Sequence, residues 1–351
     1  MTQEELARKI GVSRATLDRV INNREGVSAK KREEILAAIE ELGYKPNISG
    51  KMLSKQNRTS IGVIIGTDKT PKDGRVFEII YKSMLECSRH LAMSGVRFIY
   101  RQMVSGEAEE QIQIIEELVA EGVSGIAFAF RKRTEKLYAT IAKYQRQGIQ
   151  FVPYFNTLTD PNVDLRFQCH LDTDQVKEGR IAASLLAKFM GGKGKAALIS
   201  GLEENYVHQL RIESARRLLQ ENFSNIEVLP VYKNCYPEAE AEAICKRILD
   251  EHPDLSGMIV SCGFFGTITS YLRKRGLEKQ VSVILFDITK RAKQDLMEEK
   301  CDAIIGVDLK QLGYRTIKVI YELVFRNEVD KESWDIPLQI LLKESLEEKK
   351  A

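Results

Sequence analysis

The sequence predicts an α/β protein: an all-helical headpiece followed by a two-lobed domain of parallel sheets flanked by helices. Three observations support this fold class. Two short amphipathic helices separated by a glycine occupy residues 2–22. From residue 60 onwards, short runs rich in β-branched residues alternate with amphipathic helices. A chain of 351 residues, 43% of them hydrophobic, is long enough for two or three domains.

The first two helices are predicted at residues 2–10 and 14–22. Leu6 and Ile10 recur at helical spacing, and Gly11-Val12-Ser13 interrupts the run. Gly11 can supply the backbone freedom that a tight turn needs, and Ser13 can accept hydrogen bonds from the free N–H groups of the next helix. This spacing is typical of a helix-turn-helix unit.

The outer face of the second helix suits DNA. It carries Arg14, Ala15, Asp18, Arg19 and Asn22. Arginine can bond guanine bidentately in the major groove, and asparagine can reach bases or phosphates. The charge bias agrees, since residues 1–60 hold 12 Lys and Arg against 8 Asp and Glu, while the remainder holds 41 against 42. Paired amphipathic helices with solvated arginines are also common packing units, so this pattern alone favours DNA binding only slightly.

A third helix is predicted at residues 29–42, with Ile35, Leu36, Ile39 and Leu42 turned inward. At this point GVSRATLDRVINN, VSAKKREEILAAIEELGYKPN and KMLSK resemble, in order and spacing, the lactose-repressor (LacI/GalR) family of transcription regulators. The resemblance is continuous over the headpiece and looser along nearly the whole chain. It implies a hinge helix within residues 47–59 that folds on the operator and places Leu53 in the minor groove. A plain linker is the alternative, because Gly50 and Ser49 weaken a helix.

The resemblance implies an effector-controlled transcription factor, a repressor that binds a palindromic double-stranded operator as a homodimer. On this interpretation Arg14, Ala15 and Arg19 read bases, Thr16 and Asn22 hold phosphates, and Leu53 wedges between bases. The role of Asp18 stays open, because a carboxylate repels phosphate unless it accepts from a cytosine amine or pairs with Arg14. The charged tail is too short for a tetramerising coil, so we expect a dimer.

Nine strands are predicted, at residues 61–65, 96–100, 125–130, 149–154, 195–199, 227–231, 257–260, 281–286 and 303–306. Helices fill most gaps, for example at 78–93, 107–121, 174–190, 207–221 and 238–251. This alternation indicates right-handed βαβ units in parallel sheets, and the number of strands suggests two sheets. The resemblance here is to periplasmic sugar-binding proteins, whose chain crosses three times between two lobes that close on a ligand.

The predicted domains are a helix-turn-helix headpiece at 1–46, a hinge or linker at 47–59, and an effector-binding and dimerisation domain at 60–345, before a tail at 346–351. Lobe 1 would comprise about residues 60–158 and 308–327. Lobe 2 would comprise about residues 159–307 and 328–345. The crossings would then lie in the polar stretch 157–166 and near residues 307 and 327.

Ligands of open α/β sheets bind beyond the carboxyl ends of the strands. A sugar needs planar polar groups for its hydroxyls and an aromatic face for its C–H surface. The candidates that meet these criteria are Arg75, Phe77, Glu78, Phe155, Asn156, Asp172, Arg211, Ser261 and Asp287. The resemblance implies that Arg211 and Asp287 contact the effector. Ser261-Cys262 and Val307 replace polar residues common in the family, which leaves a less polar or phosphorylated ligand open beside a simple sugar.

Several site classes are not indicated. The six cysteines form no C-x-x-C pair and the four histidines are dispersed, which indicates buried reduced thiols and no metal site. Phosphate-loop, nucleophile-elbow and zinc-protease motifs are absent, so neither an enzyme nor a cofactor is predicted. A solute-binding protein or carbohydrate-active enzyme with an accessory head, or a family member controlled by a protein partner, is the alternative. The lack of an apolar signal core and of a membrane span predicts a cytoplasmic protein.

Overall fold

A computed structural model describes residues 3–21, 26–42, 59–67, 75–92, 95–155, 165–171, 173–201, 206–233, 235–329 and 336–347. The chain divides into two compact units, residues 1–58 and 59–351. None of the helices in the described ranges has both the length and the apolar character that a membrane span requires.

The first unit contains three helices, α1 (Gln3–Ile10), α2 (Arg14–Ile21) and α3 (Ala29–Glu41). Gly11 takes a φ of 73° in the turn between α1 and α2, a left-handed conformation that costs glycine little. The N–H of Thr16 donates to Ser13 Oγ at 3.1 Å and so caps the start of α2. The core of this unit consists of Leu6, Ala7, Leu17, Val20 and Ile35. The predicted helix-turn-helix is therefore confirmed.

The inward face of α3 is narrower than predicted. Ile35 is buried and Ile39 packs partly against the same core. Leu36 and Leu42 are 47% and 40% exposed, so the prediction that they turn inward is wrong. Leu36 lies about 100° round the helix from Ile35, and Leu42 follows the last helical residue.

The second unit alternates strands and helices. Its elements are β1 (Ser60–Ile65), α4 (Val76–Ala92), β2 (Arg97–Gln102), α5 (Ala108–Ala120), β3 (Val123–Phe128), α6 (Glu135–Arg146), β4 (Gln150–Pro153), α7 (Gln175–Phe189), β5 (Gly194–Ser200), α8 (Tyr206–Asn222), β6 (Ile226–Val228), α9 (Glu238–Glu251), β7 (Leu255–Ser261), α10 (Phe265–Lys274), β8 (Ser282–Phe286), α11 (Lys290–Met297), β9 (Ala303–Val307), α12 (Leu309–Arg326) and β10 (Leu338–Leu341). A 3₁₀ turn, Lys343–Ser345, follows.

The strands form two sheets. The first has the order β2-β1-β3-β4 and the second has the order β10-β9-β8-β7-β5-β6. All the pairings are parallel except that of β10 with β9. All nine predicted strands are present within a few residues of their expected bounds. The edge strand β10 was not predicted, because it is short and two of its four residues are exposed.

The first lobe consists of the four-stranded sheet with α4, α5, α6 and α12, and the second lobe consists of the six-stranded sheet with α7 to α11. Helix α12 packs on α4 and on strands β3 and β4, although β9 and β10 on either side of it belong to the other sheet. The chain therefore crosses between lobes after Val307 and again beyond Arg326.

The remaining crossing comes later in the chain than the boundary near residue 158 that the sequence suggests. Leu165 is buried in the core of the first lobe. The ring of Phe167 contacts the ring of Phe128, with centroids 6.0 Å apart. Leu171 pairs with Tyr154 beside β4. The chain thus leaves the first lobe only after this apolar segment has been buried against it.

The six cysteines are free and buried, as predicted. Two of them, Cys235 and Cys262, lie with their sulfur atoms 3.1 Å apart. The hydrogen bond with the thiol of Cys262, together with burial, raises the pKa of Cys235, so Cys235 is held as a thiol.

Candidate functional site

The solvent face of α2 is the first candidate surface. Arg14, Ala15 and Arg19 are exposed, whereas Leu17 and Val20 on the opposite side are buried. The structure therefore brings the three predicted base-reading residues to one side of one helix.

Two other predicted DNA contacts fall outside the described residues, namely Asn22 and the hinge residue Leu53. Thr16 is half-buried, and its hydroxyl lies 2.8 Å from Ser13 Oγ at the start of α2. Its predicted phosphate contact would therefore come from the N-terminal turn of the helix, where backbone N–H groups and the helix dipole favour anions.

The second candidate site lies at the carboxyl ends of the strands of the second lobe. Arg211 on α8 is only 3% exposed. Its Nη2 donates to Asp287 Oδ1 at 2.9 Å, and its Nε donates to Glu178 Oε2 at 2.5 Å. The guanidinium also lies over the ring of Phe286, 4.7 Å from its centroid. We call Glu178, Arg211 and Asp287 the Arg211 triad.

Local structure places each member of the triad. Asp287 directly follows β8 and has a left-handed φ of 67°, the kind of backbone strain that collects at ligand sites. Glu178 lies in the first turn of α7, whose N-terminus is capped by Asp174 through the N–H of Lys177. Burial alone would lower the pKa of Arg211, but the carboxylates of Asp287 and Glu178 outweigh burial and raise it. Arg211 is therefore a permanent cation.

His208 lies one helical turn before Arg211 and is half-buried. Burial, assisted by the positive charge of Arg211, lowers the pKa of His208 to about 3, although the charge of Asp287 acts in the opposite direction. The imidazole is neutral at physiological pH and adds no charge to the triad.

Aromatic rings gather at the carboxyl ends of the strands of the first lobe. The rings of Phe77 and Phe155 meet edge to face with centroids 5.6 Å apart. Phe155 has a φ of 64° directly after β4. The guanidinium of Arg131, which follows β3, lies 5.1 Å from the centroid of Phe77. Phe77 is only 3% exposed, whereas Phe155 is half-buried, so Phe155 is the ring of this pair that can offer a face to a sugar.

The two lobes meet at these strand ends. Arg133 of the first lobe lies over the ring of Tyr206, the first residue of α8 in the second lobe, at 4.7 Å from its centroid. The positive charge of Arg131 in the first lobe also contributes to the lowered pKa of His208 in the second. The aromatic rings of one lobe and the triad of the other therefore flank the same region.

The other predicted effector residues belong neither to the Arg211 triad nor to the aromatic pair. Glu78 forms an ion pair with Lys82 at 2.6 Å on the outer side of α4. Arg75 is half-buried just before that helix. Ser261 is buried at the end of β7, and its Oγ has no hydrogen-bond partner among the described residues. Asn156 and Asp172 lie outside the described residues.

Sequence reasoning missed four residues of this site, namely Arg131, Arg133, Glu178 and His208. The strand-end rule that selected Phe155 applies equally to Arg131, which follows β3 in the same way. Glu178 also left a signal, because it shares the helical face of Ala182 and Leu186, which are buried. A charged residue on an apolar helix face indicates a buried ion pair.

The arrangement suits a polyhydroxylated ligand. Asp287 is 20% exposed and its carboxylate can accept from hydroxyls. Arg211 can donate to hydroxyl oxygens, and the half-buried ring of Phe155 can cover C–H surface. In the described part of the chain, histidine, cysteine and acidic side chains form no group of three that could hold a metal ion.

Two family models match the chain. That of the bacterial regulatory proteins of the lacI family covers residues 2–47, and that of the periplasmic binding protein domain covers residues 85–328. The HTH-type transcriptional regulator MalR of Streptococcus pneumoniae is 23% identical over 336 residues, which are 95% of each chain. Catabolite control protein A of Priestia megaterium is 22% identical over 353 residues, covering 98% of this chain and 99% of that protein.

Solved structures resemble the second unit. A periplasmic solute-binding protein of an ABC transporter from Actinobacillus succinogenes, with bound D-allose, covers 82% of this chain and 98% of its own. The TM-score is 0.72 at 17% sequence identity, so the likeness is one of fold.

Proposed function

This chain belongs to the lacI family of bacterial regulatory proteins, and we propose that it is a homodimeric repressor whose operator affinity is controlled by a carbohydrate effector. The observation that carries the proposal is the combination of two parts in one chain. The headpiece has Arg14 and Arg19 exposed on α2. The second unit matches the periplasmic binding protein domain and has a buried arginine paired with a partly exposed aspartate in one lobe and aromatic rings in the other. The family relatives are transcriptional regulators, and nothing in the proposed function involves catalysis.

The DNA-binding half of the proposal rests on α2. Arg14, Ala15 and Arg19 would read base edges in the major groove, and Thr16 would hold a phosphate at the start of the helix. Asn22 and Leu53 remain proposed contacts to phosphate and to the minor groove. A single short helix reads few base pairs, so two heads on a palindromic operator are needed for specificity.

The effector-binding half rests on the strand ends of the second unit. Arg211 and Asp287 would grip neighbouring hydroxyls of the effector, and Phe155, packed against Phe77, would cover its apolar face. Arg75, Glu78, Asn156, Asp172 and Ser261 remain proposed contributors at the margin of this site. The fold resemblance to a protein with bound D-allose supports a carbohydrate.

The two halves would be coupled by closure of the lobes. An effector that binds the closed form more tightly than the open form shifts the population toward closure. Closure would change how the segments at 47–59 of two subunits approach each other, and so change operator affinity. A regulator of this kind acts on bacterial DNA, so we expect it in the cytoplasm.

A binding selection followed by a ligand screen tests the proposal. Full-length protein is used to select duplexes from a random pool, and we expect the enriched sequences to share a two-fold palindrome. The protein is then heated with sugars, polyols, sugar acids and sugar phosphates in turn. A ligand at 100 times its dissociation constant stabilises the native state by about 2.7 kcal/mol, enough to detect. Failure to enrich any duplex would overturn the regulatory assignment.

A further inference from the structure

Glu178 is a carboxylate in an unfavourable place. It is 0% exposed, on a face of α7 that otherwise buries Gly179, Ala182 and Leu186. Removing a carboxylate from water costs several kcal/mol unless it is well paired. Its partner is Arg211, whose Nε lies 2.5 Å from Glu178 Oε2. Because burying this carboxylate is costly, we asked what Glu178 does for Arg211.

Close packing of α7 on α8 makes this pair possible. A Cβ atom at Gly179 would overlap the backbone carbonyl oxygen of Arg211 and the hydroxyl of Ser214. The absence of a side chain there lets the two helices approach at the level of Arg211. Glu178, the preceding residue, is thereby brought within hydrogen-bonding distance of the guanidinium.

The pair changes the charge of the site. Arg211 brings one positive charge, and Glu178 and Asp287 bring two negative charges. The neutral His208 adds none. Arg211 therefore faces the site as a fixed hydrogen-bond donor, and the two carboxylates of the triad outweigh its positive charge. Across from it, Arg131 and Arg133 lie over aromatic rings and bring two further positive charges, so the carboxylate of Glu178 offsets one of three guanidinium charges at these strand ends.

We propose that Glu178 is a positioning and specificity-determining residue, which holds Arg211 in place and, by offsetting a guanidinium charge, shifts the selectivity of the site toward neutral polyhydroxylated effectors and away from their acidic or phosphorylated derivatives. The inference rests on the proposed function, in which Arg211 and Asp287 contact the effector. It narrows that function by assigning the ligand class to the charge of the triad. Hydroxyl groups can donate to Asp287 and accept from Arg211, whereas an added anion is repelled by the carboxylates of Glu178 and Asp287.

The test compares matched ligands on four full-length proteins. The probes are D-glucose, D-allose and myo-inositol, against D-glucuronate, D-glucose 6-phosphate, D-allose 6-phosphate and myo-inositol 1-phosphate, with affinity measured by calorimetry. The variants are Glu178→Gln, which removes the charge, Glu178→Asp, which keeps it, and Glu213→Gln on the exposed side of α8 as the matched control.

In Glu178→Gln the ratio of anionic to neutral affinity should rise about tenfold or more, the scale for one unit charge several ångströms away in a partly buried site. Glu178→Asp should lose affinity but keep the parental ratio, and Glu213→Gln should match the parent in both.

The results distinguish failure of the Glu178 inference from failure of the proposed carbohydrate effector. If the parent binds a probe but the ratio in Glu178→Gln equals the parental ratio, Glu178 supports the fold alone and this inference is overturned. The inference also fails if Glu178→Asp, which keeps the charge, changes this ratio as much as Glu178→Gln does. If the parent binds none of the probes, the proposed carbohydrate effector is overturned as well.

Discussion

Arg19 in the first unit and Arg211 in the second use the same side chain in opposite environments. Arg19 is exposed on the open face of α2. Arg211 is buried between two carboxylates on α8. An exposed arginine keeps its hydrogen-bonding capacity for an external anion, whereas a buried one must be paired before any ligand arrives. The comparison separates a residue that can be removed without loss of fold from one that cannot.

The largest expected effect comes from Arg211→Ala. The substitution leaves the fully buried Glu178 without its guanidinium, so the free energy of unfolding should fall by about 3–5 kcal/mol. Urea unfolding measures the change. Arg216→Ala, which breaks an exposed pair with Glu213 on the same helix, should stay within about 0.5 kcal/mol of the parent. Equal losses in the two variants would remove the distinction between buried and exposed arginines.

Arg19→Ala should have the reverse pattern. Unfolding should be nearly unchanged, while affinity for the selected operator should fall by about 1–3 kcal/mol and preference at one base position should relax. A fluorescence titration with the operator and with single-base variants measures both. Arg216→Ala serves again as the control and should bind all duplexes like the parent. An unaltered base preference in Arg19→Ala would remove Arg19 from the reading face.

His208 should make the stability of the buried Arg211 site depend on pH. The unfolded chain has an ordinary histidine pKa of 6.5, whereas folding lowers the pKa of His208 to about 3. Below pH 6.5 the unfolded state therefore binds a proton that the folded state does not, so stability is lost as the pH falls from 6.5 toward 3. Between pH 7 and pH 5 this group should contribute a loss of up to about 2 kcal/mol.

The measurement is urea unfolding of His208→Gln and its parent at several pH values. The variant should lose less stability over that interval than the parent. His90→Gln, which replaces an exposed ring on α4, should follow the parental slope. Parallel curves for His208→Gln and the parent would show that His208 is not held neutral by its surroundings.

Ser13→Ala should give the smallest effect. It removes the acceptor for the N–H of Thr16 at the start of α2, so the first unit should lose about 1 kcal/mol of stability. Thermal unfolding followed in the headpiece measures the loss, and the second unit should be unaffected. A loss confined to the second unit would contradict the capping role.

The two regions also differ in how far the sequence could predict them. The headpiece depends on local signals, so Gly11, Ser13 and the exposed arginines could all be assigned from spacing. The strands of the second unit were equally readable, and the strand-end rule found Arg211 and Asp287. Glu178 was not found, because its role depends on a contact between α7 and α8 that only tertiary packing creates. The late crossing after Leu171 was missed for the same reason, since Phe167 packs on a strand far away in sequence.

One measurement tests the central claim that effector binding beside the buried Arg211 changes the operator affinity of the exposed face of α2. The selected operator is titrated with parent protein and with Asp287→Asn, each with and without the carbohydrate that stabilises the parent. We predict that the carbohydrate changes the operator Kd of the parent by about 5- to 150-fold, the usual range of allosteric coupling. Asp287→Asn should bind the operator as the unliganded parent does and should not respond to the carbohydrate. A parent whose operator affinity is unchanged by a bound carbohydrate, or a variant that responds as fully as the parent, would contradict the account.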